Sequence, residues 1–491
     1  MKLIDLCLGI RIDCLKGTME AEIQGIAYDS RKVERGTVFV CLAGTESDGH
    51  DYITEAVARG AAAVVIEKAE KAELIPEEVT VLLVISARET LACMSASFFG
   101  HPDRKLTMIG ITGTNGKTTT ACMIQKILEK AGKKTGMIGT MGAFIGSERI
   151  KLKNTTPESW EIHTLLAKMV DEGCQYAVME VSSQGLKLKR TAGILFDYGV
   201  FTNLSQDHIS PSEHHSFEEY LECKSILFRQ CRVGIVNRDD PWHQRILEGH
   251  SCQIKKFSAE PLKYKNETVD LQAVSISLCQ NKEEFGSEFY IKGMMGGKIK
   301  LSMPGRFFVY NALAAILVCR LIGIRETAVL QGLRQVQVKG RMERLKTGKD
   351  YEMVIDYAHN RVSVEKALNA LLQYHPKRLI CLFGCGGNRA KERRYAMGEV
   401  VGDLADCCVL TCDNPRFESV EDINKDIIAG IQKSNGSYVE ISDRKAAIAY
   451  CMKQAKKGDM IVLLGKGHED YQEIGGVKYE FDERKVVQGF L

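Results

Sequence analysis

The sequence predicts an α/β fold divided into three domains, and three observations predict it. At 491 residues the chain is too long for a single hydrophobic core, since domains run to roughly 100 to 200 residues. Short β-rich apolar runs alternate along it with helical segments, the pattern of mostly parallel sheets covered by helices. Four such runs in the last third pass directly into glycine- or histidine-bearing polar loops, as the strands of a doubly wound sheet do at their carboxyl ends.

The first domain is expected over residues 1–102. Between Ile26 and Ile66 a β-rich run (TVFVCLAG), a turn (ESDGHD), a helix over TEAVARG ending at Gly60 and another apolar run (AAAVVI) make α/β units. The break at Gly100-His101-Pro102 closes it. In the second domain, 103–337, the runs LTMIGITG, YAVMEV, YGVFTNL and VGIVN are strands, and the last helix runs from Tyr310 to Leu321. The segment QVQVKGRMERLKTG reads as a linker into the third domain, 338–491. There YEMVIDYAH, RLICLFGCGG, CCVLTCDNP and MIVLLGKG are four strand-then-loop units separated by helices.

Composition narrows the functional classes. Basic residues number 66 and acidic residues 63, so no global field points to nucleic acid or an anionic membrane. Seventeen scattered cysteines without a C-x-x-C pair suit neither a disulfide framework nor a zinc ribbon, and imply a reducing compartment. The start MKLIDLCLGIRIDCLKG fits no signal peptide, and no apolar stretch reaches the roughly 18 residues of a membrane span. A cytoplasmic protein without membrane insertion is expected.

The strongest chemical signal is LTMIGITGTNGKTTTACMIQKILEKAG, a strand, a glycine loop and an amphipathic helix in the order that cradling a phosphate chain requires. Gly113 and Gly116 let the backbone approach the phosphates, the helix N-terminus adds positive potential, Lys117 brings charge, and Thr118 can ligate Mg²⁺. The loop departs from the usual G-x-x-x-x-G-K-[ST] because Ile111 stands at the first glycine position. A bound triphosphate follows.

Other residues are informative mainly in combination. Glu180, in YAVMEV, sits where a strand-end metal ligand would, but alone it reads equally well as a surface carboxylate. His208 in TNLSQDHIS is by itself more readily a structural histidine, and His214 and His215 lack the spacing of a zinc site. In SFEEYLECKSILFRQ, Phe217, Tyr220, Leu221, Lys224, Leu227 and Phe228 share one helical stripe, so Lys224 lies on the buried face. It either snorkels to water or is paired or chemically modified, because an unpaired buried ammonium is costly. In the last domain CDNPRFE offers Arg416, GCGGNRAKERR offers Arg389, and GKGHEDYQ offers Lys466, His468 and Glu469. Such charges at adjacent strand ends point to recognition of a small zwitterion.

The ordered set GTNGKTT, MEVSS, NLSQDH, ECKSILF, YNALAA, GRMER, DYAH, GCGGNR, DNPRFE and GKGHE resembles the Mur ligase family. The likeness extends through DSRKVERGTVFVCLAG and DGHDYITEA to nearly the whole chain. The resemblance implies a three-domain Mur ligase architecture: a UDP-muramoyl-substrate domain, a central ATP-binding P-loop domain and a Rossmann-like amino-acid-binding domain. It implies a monomeric, ATP- and Mg²⁺-dependent ligase of peptidoglycan precursor synthesis. Its substrates would be meso-diaminopimelate and UDP-N-acetylmuramoyl-L-alanyl-D-glutamate, joined through an acyl phosphate.

The same resemblance implies residue roles. Lys117, Glu180, His208 and Lys224 would be catalytic, with Thr118, Glu180, His208 and Lys224, as its carbamate, around metal. Gly113, Thr114, Asn115, Gly116, Lys117, Thr118, Thr119 and Asn311 would bind ATP, joined on domain closure by Arg341 and Asp356. Ser30, Asn154, Thr155, Thr156, Ser182 and Arg190 would hold the UDP substrate. Arg389, Asp413, Asn414, Pro415, Arg416, Gly465 and Glu469 would hold the amino acid. The Asp-Asn-Pro-Arg form of the loop is associated with diaminopimelate rather than lysine, whose missing second carboxylate would leave Arg416 without a partner. Gln184, Leu188 and the stretch from Asn360 to Val362 depart from the family pattern. A paralogous ligase adding lysine or another amine to a related peptidyl nucleotide, and a nucleotide-binding scaffold without turnover, are the competing readings. The complete acid, histidine and lysine set speaks against the scaffold.

Overall fold

The structure, a computed structural model, describes residues 1–44, 47–206, 209, 213–262, 267–280, 285–434 and 436–491. The chain divides into two compact units: residues 1–272, 293–295 and 310–332, and residues 273–292, 296–309 and 333–491.

The first unit holds two sheets. The smaller has the order Ile12–Lys16, Thr80–Val84, Ala61–Ile66, Thr37–Val40, Gly25–Ala27, antiparallel at the first pairing and parallel thereafter. Thr37–Val40 is buried on both faces, which is why it reads as an unbroken apolar run. Val38 and Val40 face a layer with Leu3, Leu6, Leu91 and Met94, while Phe39 faces one with Ile53 and Ala56. The Gly100-His101-Pro102 break becomes a short 3₁₀ turn, Pro102–Lys105, ahead of the second sheet.

That second sheet has the parallel order Gln253–Ser258, Cys231–Asn237, Phe196–Phe201, Thr107–Thr112, Tyr176–Glu180, Thr135–Gly139, with Gly142–Ile145 and Glu148–Ile150 added antiparallel. One register fact positions the chemistry. Phe201 pairs with Thr112 and Glu180 with Ile111, so three neighbouring strands end at nearly one level. The loops after them emerge side by side at the carboxyl edge, where ligands gather in open α/β sheets. Helices Lys117–Lys130, Ser159–Asp171 and Phe217–Arg229 follow within this unit.

The second unit contains the doubly wound sheet in the order Glu343–Leu345, Glu352–Asp356, Met460–Leu464, Leu379–Phe383, Cys407–Leu410, Tyr438–Glu440. All pairings are parallel except the first. Two sequence expectations need adjustment. The helix expected from Tyr310 begins at Arg306, because Phe308 and Val309 extend its buried face back to Gly305. The segment read as a linker contains the strand Glu343–Leu345, which pairs with Glu352–Asp356. A hairpin that was not foreseen, Tyr471–Ile474 with Val477–Glu480, turns at Gly475 and Gly476, whose φ of 58° and 79° suit a two-residue turn.

Candidate active site

Thr107–Thr112 delivers the chain into Gly113 and Gly116, at φ of 145° and 89°. A Cβ at Gly113 would run into Thr202 Oγ1 and one at Gly116 into Asn311 Oδ1, so both positions need glycine for space as well as for conformation. The neighbouring strand end holds the loop in shape. Thr114 N donates to Asn203 O at 2.8 Å and Asn115 N to Asn203 Oδ1 at 3.0 Å. In return Thr202 Oγ1 and Asn203 Nδ2 donate to Asn115 O at 2.7 and 3.0 Å. Lys117 curls back, its Nζ donating to Gly113 O at 2.8 Å and Thr114 O at 3.1 Å. The first turn of helix Lys117–Lys130, with Thr118 and Thr119 in it, presents amides that lack intrahelical acceptors, the arrangement that holds an anion.

Glu180 is fully buried one strand away. It accepts from Thr118 Oγ1 at 2.9 Å, Thr140 N at 2.9 Å and Thr140 Oγ1 at 3.1 Å. Lys224 is 1% exposed, so it does not snorkel to water. Its Nζ donates to Gly113 O at 3.1 Å and lies 4.4 Å from the centre of the Tyr220 ring, whose hydroxyl donates to Thr114 Oγ1 at 3.1 Å. Lys117, Thr118, Glu180 and Lys224 thus converge on one loop, with Asn311 beside Gly116. His208 lies outside the described residues. Among the described residues no cluster of three His, Cys, Asp or Glu side chains could hold a metal. The adjoining Thr118 hydroxyl and Glu180 carboxylate still fit Mg²⁺, which is held by one or two protein oxygens with phosphates and water rather than by a protein cage.

Thr155, Thr156, Ser182 and Arg190 lie one step outward. Thr156 Oγ1 donates to Glu180 O and accepts from Ser182 N, both at 2.9 Å, and Thr155 Oγ1 is 3.1 Å from Thr140 Oγ1. Arg190 donates to Thr156 O at 2.9 Å and to Glu158 at 2.8 Å. Among the described residues no hydrogen bond joins Ser30 or Asn154 to this group; Ser30 Oγ donates to Glu55 at 2.8 Å, and Asn154 is exposed. Gln184 Oε1 is buried without a partner among the described residues.

In the second unit the loops after Cys407–Leu410 and Met460–Leu464 meet. The buried Lys466 ammonium donates to Asn414 Oδ1 at 2.7 Å and Glu469 Oε2 at 2.9 Å, and stands 3.6 Å from Asp413. Asn414 Nδ2 donates to Glu469 Oε2 at 2.9 Å, Pro415 is buried, and Gly465 faces Asp413. Arg416 has a φ of 54°, unusual for a side chain with a Cβ, and its Nη1 donates to Gly387 O at 2.7 Å. Arg389 is exposed on the same glycine loop. Beneath both loops a buried ion pair joins Arg444 to Glu483 at 2.7 Å, and Arg444 also donates to Cys412 O and Leu464 O at 3.2 and 2.8 Å. The Arg341 guanidinium lies 4.9 Å from the centre of the Tyr357 ring. Asp356 accepts from Met342 N and Ala358 N at 2.7 and 2.8 Å, and burial pushes its carboxyl above the ordinary value against the pull of Arg341.

Comparison with known proteins matches three family models: "Mur ligase family, catalytic domain" at residues 22–99, "Mur ligase middle domain" at 111–319, and "Mur ligase, glutamate ligase domain" at 340–467. The chain belongs to the Mur ligase family. Full-length Mur ligases are similar to it throughout. A UDP-N-acetylmuramoyl-L-alanyl-D-glutamate–2,6-diaminopimelate ligase of Caldanaerobacter subterraneus subsp. tengcongensis is 41% identical over 496 residues, covering 100% of this chain and 99% of the relative. A protein of the same description from Clostridium acetobutylicum is 41% identical with the same coverage. A solved diaminopimelate ligase structure superposes with a TM-score of 0.71 at 28% identity, covering 100% of this chain and 98% of that one.

Reading the sequence of this Mur ligase missed several residues that its structure brings to the sites. Thr140, in a plain loop after Thr135–Gly139, carried no signal, yet it makes two of the hydrogen bonds to Glu180. Gln472 and Glu473 were missed although YQEI-GG-VKYE is a hairpin signature. Gln472 Nε2 donates to Cys412 O and Asp413 O at 3.4 and 3.3 Å, and Glu473 N to Asn414 Oδ1 at 3.0 Å.

Proposed function

We propose that this chain is an ATP-dependent ligase that joins meso-diaminopimelate to the D-glutamate of UDP-N-acetylmuramoyl-L-alanyl-D-glutamate, in cytoplasmic peptidoglycan precursor synthesis. Its three parts, 1–102, 103–337 and 338–491, serve the UDP substrate, ATP and the amino acid. Two similar proteins, each 41% identical over the full chain, are named for this reaction. The observation that carries the choice of amine is Arg416, a planar fork in an Asp-Asn-Pro-Arg loop beside Glu469, suited to a carboxylate that lysine lacks.

In this reading the γ-phosphoryl group of ATP passes to the D-glutamate side-chain carboxylate, ADP leaves, and the amine of diaminopimelate displaces phosphate from the acyl phosphate to form the amide. The residues 113–119 cradle the phosphates, and Lys117 exchanges its two carbonyl contacts for them. Asn311 contacts the nucleotide, as do Arg341 and Asp356. Thr118, Glu180, His208 and Lys224 would hold Mg²⁺, which would supply charge neutralisation at the phosphates. Lys224 serves as its carbamate: the ammonium loses one proton, carbon dioxide adds to the free amine, a second proton leaves from nitrogen, and a buried cation becomes an anionic oxygen ligand. Ser30, Asn154, Thr155, Thr156, Ser182 and Arg190 bind the UDP substrate. Arg389, Asp413, Asn414, Pro415, Arg416, Gly465 and Glu469 bind the amino acid.

The test is phosphate release from ATP with UDP-muramoyl-dipeptide and a panel of amines, with products identified by mass spectrometry. Turnover with diaminopimelate is expected; turnover with lysine but not diaminopimelate overturns the choice of amine. Lys224→Ala should lose activity roughly 100-fold or more and regain part of it with an added short-chain carboxylic acid. Full activity in that variant without additive would remove the carbamate.

A further inference from the structure

The hairpin Tyr471–Ile474 with Val477–Glu480 lies along the whole amino-acid loop, and its grip is made by backbone and by Gln472. Arg416 N donates to Glu473 O at 3.0 Å, Gly475 N to Arg416 O at 2.6 Å, and Glu473 N to Asn414 Oδ1 at 3.0 Å. These bonds hold Arg416 in its left-handed conformation. The Glu473 side chain is therefore not needed to secure the hairpin, and it points at the guanidinium: Oε2 stands 3.4 Å from Arg416 Nε, both side chains about a quarter exposed. Among the described residues the Glu473 carboxylate accepts no hydrogen bond, and Arg416 Nη2 donates none. The two other acids of the pocket are differently placed: the buried Asp413 stands 3.6 Å from Lys466, and Glu469 is already engaged by Lys466, Asn414 and, at 3.5 Å, the Tyr357 hydroxyl.

We infer, on the ligase reading above, that Glu473 is the specificity-determining partner of Arg416 and selects an amine substrate whose far end carries both an ammonium and a carboxylate. A partly hydrated ion pair with this spacing is complementary to that end group. The carboxylate takes Arg416, the ammonium takes Glu473, and one resident pair is replaced by two charge-assisted contacts. A far end with an ammonium alone must share Glu473 with Arg416, and one with a carboxylate alone strips Arg416 from Glu473 and leaves that carboxylate without a counter-charge. Discrimination of this kind comes from the charge left unpaired as much as from the new ion pairs that form.

The experiment is steady-state kinetics on the full chain with ATP, UDP-muramoyl-dipeptide and three amines: diaminopimelate, 2-aminopimelate with a carboxylate-only far end, and lysine with an ammonium-only far end. The wild type should prefer diaminopimelate over 2-aminopimelate roughly 10-fold or more in kcat/KM. Glu473→Gln should shrink that preference to about 3-fold or less, acting through the KM for diaminopimelate, and Glu473→Asp should retain part of it. Unchanged thermal midpoints in both variants would show that the backbone latch is intact. An equal loss on all three amines, or a preference that survives Glu473→Gln and disappears in Glu469→Gln, overturns the role of Glu473. Wild-type protein that uses none of the three amines, or lysine alone, sinks the ligase reading and this inference with it; use of diaminopimelate with a preference indifferent to Glu473 sinks only the inference.

Discussion

Around residues 113–118 the frame is one strand–loop–helix unit braced by the two strand ends beside it, with Tyr220, Lys224 and Asn311 closing in from two further helices, whereas the groups around Arg416 come from separate loops and a hairpin. The glycine loop is closely packed, with no room for a methyl group at Gly113 or Gly116. The proposed amino-acid pocket keeps partly exposed charges, Arg416 and Glu473, over a buried base of Lys466, Arg444 and Glu483. On the proposed ligase reading, the phosphoryl step would be served by a closely packed cradle, and the choice among similar amines by charges that can be exchanged for those of a substrate. Substitutions should separate the two regions.

The largest effect is expected at Gly116→Ala, where strain at φ 89° adds to the collision with Asn311, and ATP-dependent turnover should fall roughly 1000-fold or more. Turnover within about tenfold of wild type would mean that the loop is far more pliant than its packing indicates. Arg444→Met leaves Glu483 buried without its partner and should cost about 3 to 4 kcal/mol of stability, read as a lowered denaturant midpoint. A midpoint close to wild type would show that the pocket does not depend on its base.

Acid should act on the first unit through His163. Burial holds this imidazole down at about 4, below its ordinary 6.5, and neither ring nitrogen has a hydrogen-bond partner among the described residues. The unfolded chain binds the proton more tightly, so the contribution is complete above pH 6.5 and is lost as pH falls toward 4, amounting to about 3 kcal/mol. Unfolding titrations at about pH 7 and about pH 4.5 should show the loss in the wild type and a flatter profile in His163→Leu; identical slopes would clear the histidine. The smallest effect is expected at Arg416→Lys, which keeps the charge and loses the fork. The KM for diaminopimelate should rise about 10- to 30-fold while that for ATP changes much less, and a parallel rise in both would take Arg416 out of the pocket.

The same contrast explains how much could be read in advance. The strand, glycine loop and helix from Thr107 to Lys130 were legible because they are contiguous and carry their own periodicity, and the stripe from Phe217 to Phe228 correctly buried Lys224. The four strand-to-loop units of the last domain were legible too, each being a short apolar run followed by glycine, histidine or asparagine. What escaped depends on distance in sequence: Glu473 lies two helices and two strands further along the chain than Arg416, and reaches it only because a hairpin folds back on the loop. Thr140 was invisible for a related reason. A threonine becomes a partner of Glu180 through strand adjacency, which no local pattern encodes.

The level ending of Thr107–Thr112, Tyr176–Glu180 and Phe196–Phe201 has a consequence for how this chain can change. Side chains alternate across a pleated strand, so a one-residue slip would not displace Glu180 slightly; it would send the carboxylate to the opposite face of the sheet, away from Thr118. Alignment between the glycine loop and Glu180 therefore comes in whole steps. Insertions can accumulate in the outer loops without blurring it, while a single deletion inside any of these three strands abolishes it at once.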